Sequence, residues 1–158
     1  MSKNTIENGA KAGQLDMYEI NAMVSGIGAG KTSGVAAFVG RLGKTEMTQM
    51  QLSFVIGDIS AYYIKPKHID ELSERERKAA VDTNKAICEI LKQMITSQNL
   101  SPSHTSEILK LGNASLNASI IKHNWVKLSK VQRRELERNA NPEMLKAIRK
   151  NHADCSPL

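Results

Sequence analysis

Two stretches of this chain carry residue types whose spacing suits chemistry with phosphates. In the first, Ser25-Gly26-Ile27-Gly28-Ala29-Gly30-Lys31-Thr32, glycines alternate ahead of a lysine and a threonine. Glycines let backbone N–H groups curl around a phosphate, an ammonium such as that of Lys31 neutralises its charge, and a hydroxyl such as that of Thr32 can hold magnesium. In the second, between Lys110 and Arg134, six basic residues (Lys110, Lys122, Lys127, Lys130, Arg133 and Arg134) occur with no acidic one in a 25-residue window. Such a one-signed field favours a polyanionic partner, because each phosphate neutralised releases a counterion. Ser115, Asn117 and Ser119 supply short hydrogen-bonding side chains, chemistry suited to base edges, with Lys122, His123, Lys127, Lys130, Arg133 and Arg134 placed downstream where phosphates would pass.

Catalytic and metal-binding patterns are absent from the sequence. His68, His104, His123 and His152 stand singly, without HExxH spacing, and there is no GxSxG elbow. Cys88, in a helical pattern, and Cys155, in a polar stretch, form no CxxC pair, so neither a disulfide framework nor a zinc site is expected. The reading is therefore of a protein that is not an enzyme and needs no cofactor. Each histidine is expected at the surface or in a local hydrogen bond, Cys88 as a small core residue, and Trp125 as an anchor in or beside the core.

The elements that must position these residues read as helices. Aromatic residues are only Tyr18, Phe38, Phe54, Tyr62, Tyr63 and Trp125, and 41% of the chain is hydrophobic, so the core is chiefly aliphatic and a helical fold is favoured over a β-sandwich. Met47 to Tyr63 shows the three-and-four spacing of a covered core helix, although Val55-Ile56 leaves a strand open there. Lys65-Pro66-Lys67 breaks the pattern. Residues 70 to 97 carry acids early and an apolar face from Ala79 to Ile95, an amphipathic helix. Ser101-Pro102 reads as an N-cap and first helical residue, Gly112 as a left-handed C-terminal position, Ala114 to Asn124 as the next helix, Ser129 as the start of another, and Asn141-Pro142-Glu143 as the cap of a last one through Lys150. The glycine-dense stretch 25–34 is expected as a loop, following a short helix or strand at Tyr18 to Val24.

Residues 101 to 124 resemble the helix-turn-helix class of bacterial regulators over about 25 of 158 residues. The resemblance departs at Ile108, four positions before the turn glycine, where a small residue is usual. It implies duplex DNA as partner, with Ser115, Asn117, Ser119 and Lys122 facing the groove. Ser25 to Thr32 resembles the Walker A motif of nucleotide-binding proteins, departing at Ser25, where the first glycine belongs. That resemblance implies nucleotide binding through Gly28, Gly30, Lys31 and Thr32, with Tyr18 to Val24 as the preceding strand and Leu52 to Asp58 as an apolar strand ending in aspartate.

At 158 residues the chain is one domain's worth, and it divides by charge. Residues 1 to 79 hold ten Lys/Arg and nine Asp/Glu, while 80 to 158 hold twelve and seven. The longest apolar run, Val35 to Val39, is far short of a membrane span and the N-terminus has no apolar leader, so a cytoplasmic protein is expected. The expected architecture is all-α: a small multi-helix domain with a flexible lead (1–14), a helical scaffold or dimerisation region (15–97), a basic helix-turn-helix-like region (98–150) and a flexible tail (151–158). The function read from it is sequence-specific or architectural DNA binding by a homo-oligomer such as a dimer, of the kind found in small transcriptional regulators of bacteria, plasmids or phages. Two alternatives stand beside it, a nucleotide-binding protein and a protein-interaction adaptor, inhibitor or effector built on the Met47/Met50 helix.

Overall fold

The computed structural model describes residues 15–139 and 142–155. Its fold is all-α, and no strand occurs among the described residues. The order is α1 (Met17–Gly28), α2 (Val35–Leu42), α3 (Gln49–Ala61), α4 (Pro66–Ile69), α5 (Glu74–Ser97), α6 (Pro102–Leu109), α7 (Ala114–Asn124), a 3₁₀ turn (Trp125–Lys127), α8 (Lys130–Asn139) and α9 (Pro142–Cys155). Both strand alternatives are thereby corrected, since Tyr18 to Val24 lies in α1 and Leu52 to Asp58 in α3. The flexible lead falls outside the described residues, as does Asn141. The last helix runs on through Cys155, into the stretch expected as tail.

The helix starts follow from short polar caps. Asp16, Thr48, Ser73, Ser101 and Asn113 each accept the backbone N–H three residues on, satisfying a donor that the helix itself leaves orphaned. The long amphipathic helix begins at Glu74 rather than residue 70, because Ser73 is its cap and Asp70 closes the short α4.

At 24 residues, α5 is about 36 Å long and is the strut against which α1, α2, α3 and α4 pack on the N-terminal side and α7 on the C-terminal side. Its inward stripe, Ile87, Ile90, Leu91, Met94 and Ile95, is buried, each such side chain contributing about 1.5–3 kcal/mol by leaving water. One hydrophobic cluster extends from Leu15 to Ile148 and includes Trp125. Residues 15–97 and 98–150 thus share a core, joined by the α5–α7 and α3–α6 contacts.

Buried carboxamides tie the connections to this core. Gln98, the C-cap of α5, accepts from Met47 N–H at 2.9 Å through Oε1, and its Nε2 donates to the carbonyls of Leu42 and Thr45, both at 2.9 Å. Gln51 closes a capping box with Thr48 and donates to Leu15 O at 2.8 Å. Asn84 holds both backbone groups of Ile64, accepting from its N–H at 3.0 Å and donating to its carbonyl at 2.6 Å. Gln98→Ala strips partners from three backbone groups around the α2–α3 connection, and is expected to lower stability by about 2–4 kcal/mol. Urea unfolding checks this as a shift of midpoint with the slope unchanged.

Candidate functional site

The glycine stretch is a helix end. Ser25 to Gly28 are helical, correcting the expectation of a loop from residue 25, and the turn begins at Ala29. The buried Val24 and Ile27 give α1 an apolar face there that outweighs the helix cost of glycine, about 1 kcal/mol per site. Gly28 has a packing reason: a Cβ at this position would lie 2.7 Å from a ring carbon of Tyr62 at the end of α3. Gly30 adopts φ +77°, Gly30 N–H donates to Ile27 O at 3.0 Å, and Lys31 N–H donates to Gly26 O at 2.7 Å. Those two bonds across a left-handed glycine are a Schellman cap. The amides that would have to cradle a phosphate are thus given to carbonyls of α1, while Lys31 is exposed and Thr32 half-buried.

In the basic half, α6 and α7 are joined by a turn in which Gly112 takes the expected left-handed conformation, φ +67°. Packing against α5, α6 and α9 fixes which side of α7 faces water. Leu116, Ile120, Ile121 and Asn124 are buried; Ser115, Ala118, Lys122 and His123 are exposed. Ser119 sits half-buried in a cleft with Val39 of α2 and Glu89, Lys92, Gln93 and Thr96 of α5. Asn117, two residues from both Ser115 and Ser119, is turned by about 200° from Ser115 and is half-buried, lining a pocket with Leu136 and Met144. Its Oδ1 is out of water. The expected groove-facing set is therefore divided, with Ser115 and Lys122 exposed and Asn117 and Ser119 half-buried, each in a different cleft.

Asn113, at the start of α7, is committed to the fold. Its Oδ1 accepts from Leu116 N–H, and its Nδ2 reaches Tyr63 Oη at 3.1 Å and Cys88 Sγ at 3.4 Å. Cys88 is half-buried, and burial pushes its thiol above the ordinary value, against a smaller downward pull from Lys92. Trp125 is buried, with the Arg133 guanidinium 5.4 Å from its ring centroid and Arg133 Nε donating to Trp125 O at 3.1 Å. Arg133 is in this way a packing partner of the indole.

The remaining cations face water. Lys127 donates to Asn99 Oδ1 at 2.7 Å, while Lys122, Lys130 and Arg134 are exposed and paired with no carboxylate among the described residues. On α8, Lys130, Arg134 and Arg138 recur every four residues and form one exposed stripe, with Leu136 buried on the opposite side. Arg138 lies outside the acid-free window because Glu135 and Glu137 precede it, but its four-residue step from Arg134 was a readable signal. Residues 110–150 hold ten Lys/Arg and three Asp/Glu, a net +7 in a chain of net +6, so the remaining residues net −1.

His104 is buried at the start of α6, in the local hydrogen bond that is one of the two expectations for the histidines. Its Nδ1 accepts from Ser101 N–H at 3.1 Å and its Nε2 meets Ser53 Oγ of α3 at 2.8 Å. Sequence periodicity cannot show this contact, because Ser53 is 51 residues away. Comparisons with protein-family models, curated proteins and solved structures find no match.

Burial lowers the His104 pKa from 6.5. The unfolded chain accordingly takes up this proton first, so the contribution of neutral His104 is complete above pH 6.5 and is lost as pH falls through the folded value. His104→Gln keeps a capping-box partner for Ser101 without a titrating group. Between pH 7.5 and 5.5 the variant is expected to lose less stability than the natural chain, by at most about 1.4 kcal/mol per pH unit. Urea midpoints at the two pH values measure the difference.

Proposed function

We propose that this chain is a non-catalytic, duplex-DNA-binding protein that engages DNA chiefly through its phosphates, with homo-oligomerisation multiplying the contacts that one copy supplies. The observation that carries the reading is the exposed cationic set Lys122, Lys130, Arg134 and Arg138, none of it paired with a carboxylate among the described residues, in a segment of net +7. Lys127, Ser115 and His123 are exposed on adjoining elements and extend the interface. Exposed cations without a carboxylate partner can displace condensed counterions, which is the sequence-independent part of DNA affinity.

Base reading is the smaller part of this proposal. With Asn117 and Ser119 both half-buried in clefts, α7 offers Ser115 and Lys122 to base edges, fewer contacts than a dedicated reading helix uses. An architectural or low-specificity role follows more naturally than recognition of a single operator, and regulation of transcription would act through occupancy. A second reading, as a protein-interaction adaptor, draws on Met50, which is 82% exposed on α3, and Tyr18, 68% exposed on α1.

Fluorescence anisotropy of the full-length chain against a random duplex, from about 50 to 200 mM salt, tests the proposal. Affinity is expected to fall as a power of salt concentration. The triple variant K130Q/R134Q/R138Q is expected to flatten the logarithmic slope by about 2.7, at about 0.9 per phosphate contact. Absence of binding at the lowest salt, or a slope unchanged in the triple variant, would overturn the reading and leave the adaptor alternative. Arg133 is left in place because replacing it would loosen Trp125.

A further inference from the structure

Helices α1 and α2 follow one another in the chain and both pack on α5, but a groove of about 510 Å³ separates them. Met23 of α1 and Phe38 of α2 line its floor and keep 9% and 5% of their surface in reach of water. Ala22 and Ala37 line it from exposed positions, and side chains this short leave the mouth open. Apolar walls that the fold leaves uncovered are the usual setting of a small-molecule site, and the volume lies within the range of such sites.

Four lining residues carry polar side chains, and they sit at the two ends. At the end away from the connection, Arg41 Nη1 donates to Glu19 Oε2 at 2.6 Å, so the two charges offset each other. At the connection lie Lys31 and Ser33, where Lys31 N–H is spent on Gly26 O but the ammonium has no carboxylate partner among the described residues. From Gly26 to Glu19 along α1 the ends are about 10 Å apart, at 1.5 Å per residue.

An apolar trough with an unpaired ammonium at one end selects a guest by charge. An alkylammonium would meet Lys31 with like charge, and an alcohol would leave that charge unanswered. A carboxylate accepts from the ammonium and from the Ser33 hydroxyl together. Arg41 keeps further N–H donors, but an anion there would lie against the Glu19 carboxylate, which directs the head group to Lys31.

We propose that the groove between α1 and α2 binds a medium-chain aliphatic carboxylate, whose oxygens accept from Lys31 Nζ and Ser33 Oγ while its chain lies across Ala22 and Ala37 and on the open edges of Met23 and Phe38. Because Lys31 is exposed, the ion pair supplies the smaller share of affinity and the chain the larger. The lining includes none of the cations of α7 and α8, so the site stands apart from the duplex interface.

Isothermal titration calorimetry of the full-length chain with sodium octanoate, at constant ionic strength and without DNA, tests the site. Octylammonium chloride and 1-octanol serve as controls and are expected to bind more weakly. One-to-one binding of octanoate is expected with a dissociation constant on the order of 0.1–1 mM, weakened about fivefold in Lys31→Gln. Ala37→Leu, which fills the groove from an exposed position, is expected to abolish it. Sedimentation velocity of the natural chain and of Ala37→Leu shows whether a second copy is the occupant instead. No octanoate binding up to about 10 mM, equal binding of octylammonium or octanol, an unchanged constant in Lys31→Gln, or self-association that Ala37→Leu removes would overturn the proposal. A failure here leaves the duplex reading standing, since DNA is absent from the experiment, and failure of the duplex titration leaves the carboxylate site standing.

Discussion

The connection between α2 and α3 places two carbonyls and an N–H where neither helix can satisfy them, and an orphaned buried group costs about 1–3 kcal/mol. The carboxamide of Gln98 meets all three, at Leu42, Thr45 and Met47. Because Gln98 is also the end of α5, the same contact fixes where the long strut stops and where α3 begins. The neighbouring residues extend the joint. Gln49 of α3 donates to Asn99 O at 3.0 Å, Lys127 donates to Asn99 Oδ1, and Ser101 caps α6 while Ser53 of α3 meets His104. Gln98, Asn99 and Ser101 thus hold the scaffold helices, the start of α6 and the 3₁₀ turn after α7 in one geometry, and the cations of the basic segment follow from it.

What the sequence makes legible is what depends on near neighbours. Ser101-Pro102 at the start of α6, Gly112 at its end and the amphipathic run of α5 all rest on interactions within a few residues, and each is found where its pattern places it. Gln98, Asn84 and His104 have partners from 20 to 56 residues away, and a polar residue whose partner is distant looks like any surface residue in a linear pattern. Asn117 is half-buried for a related reason. The leucine and isoleucines of α7 define an inward face against one neighbour, but α9 packs on a further side and covers Asn117 in part.

The glycine stretch carries a different lesson. Alternating glycines followed by lysine and threonine serve equally to point amides at a phosphate or to end a helix through a left-handed residue, because both need backbone freed from Cβ. What separates them is the direction of two N–H groups. Here Gly30 and Lys31 donate back to Ile27 and Gly26, and Gly28 admits the ring of Tyr62. Residue types alone leave that choice open, since it is the packing of α1 against α3 that carries the helix as far as Gly28.

Helix α8 shows how a basic stripe can be presented on so small a fold. Its sequence, KVQRRELERN, has one aliphatic residue buried, Leu136, too little to fix a helix by the hydrophobic effect alone. Polar contacts supply the rest. Ser129 N–H donates to Gln132 Oε1 at 2.9 Å and Gln132 N–H donates to Ser129 Oγ at 3.1 Å, the reciprocal pair of a capping box. Gln132 Nε2 also donates to Pro102 O at 3.1 Å, and Arg133 rests on Trp125. These contacts lie at the start of the helix and, through Gln132 and Arg133, on the side that carries Leu136. Anchoring α8 by polar groups on one side lets nearly all the others stay charged, so Lys130, Arg134 and Arg138 remain in water with their charge available, where an apolar anchor of equal strength would have needed to replace some of them.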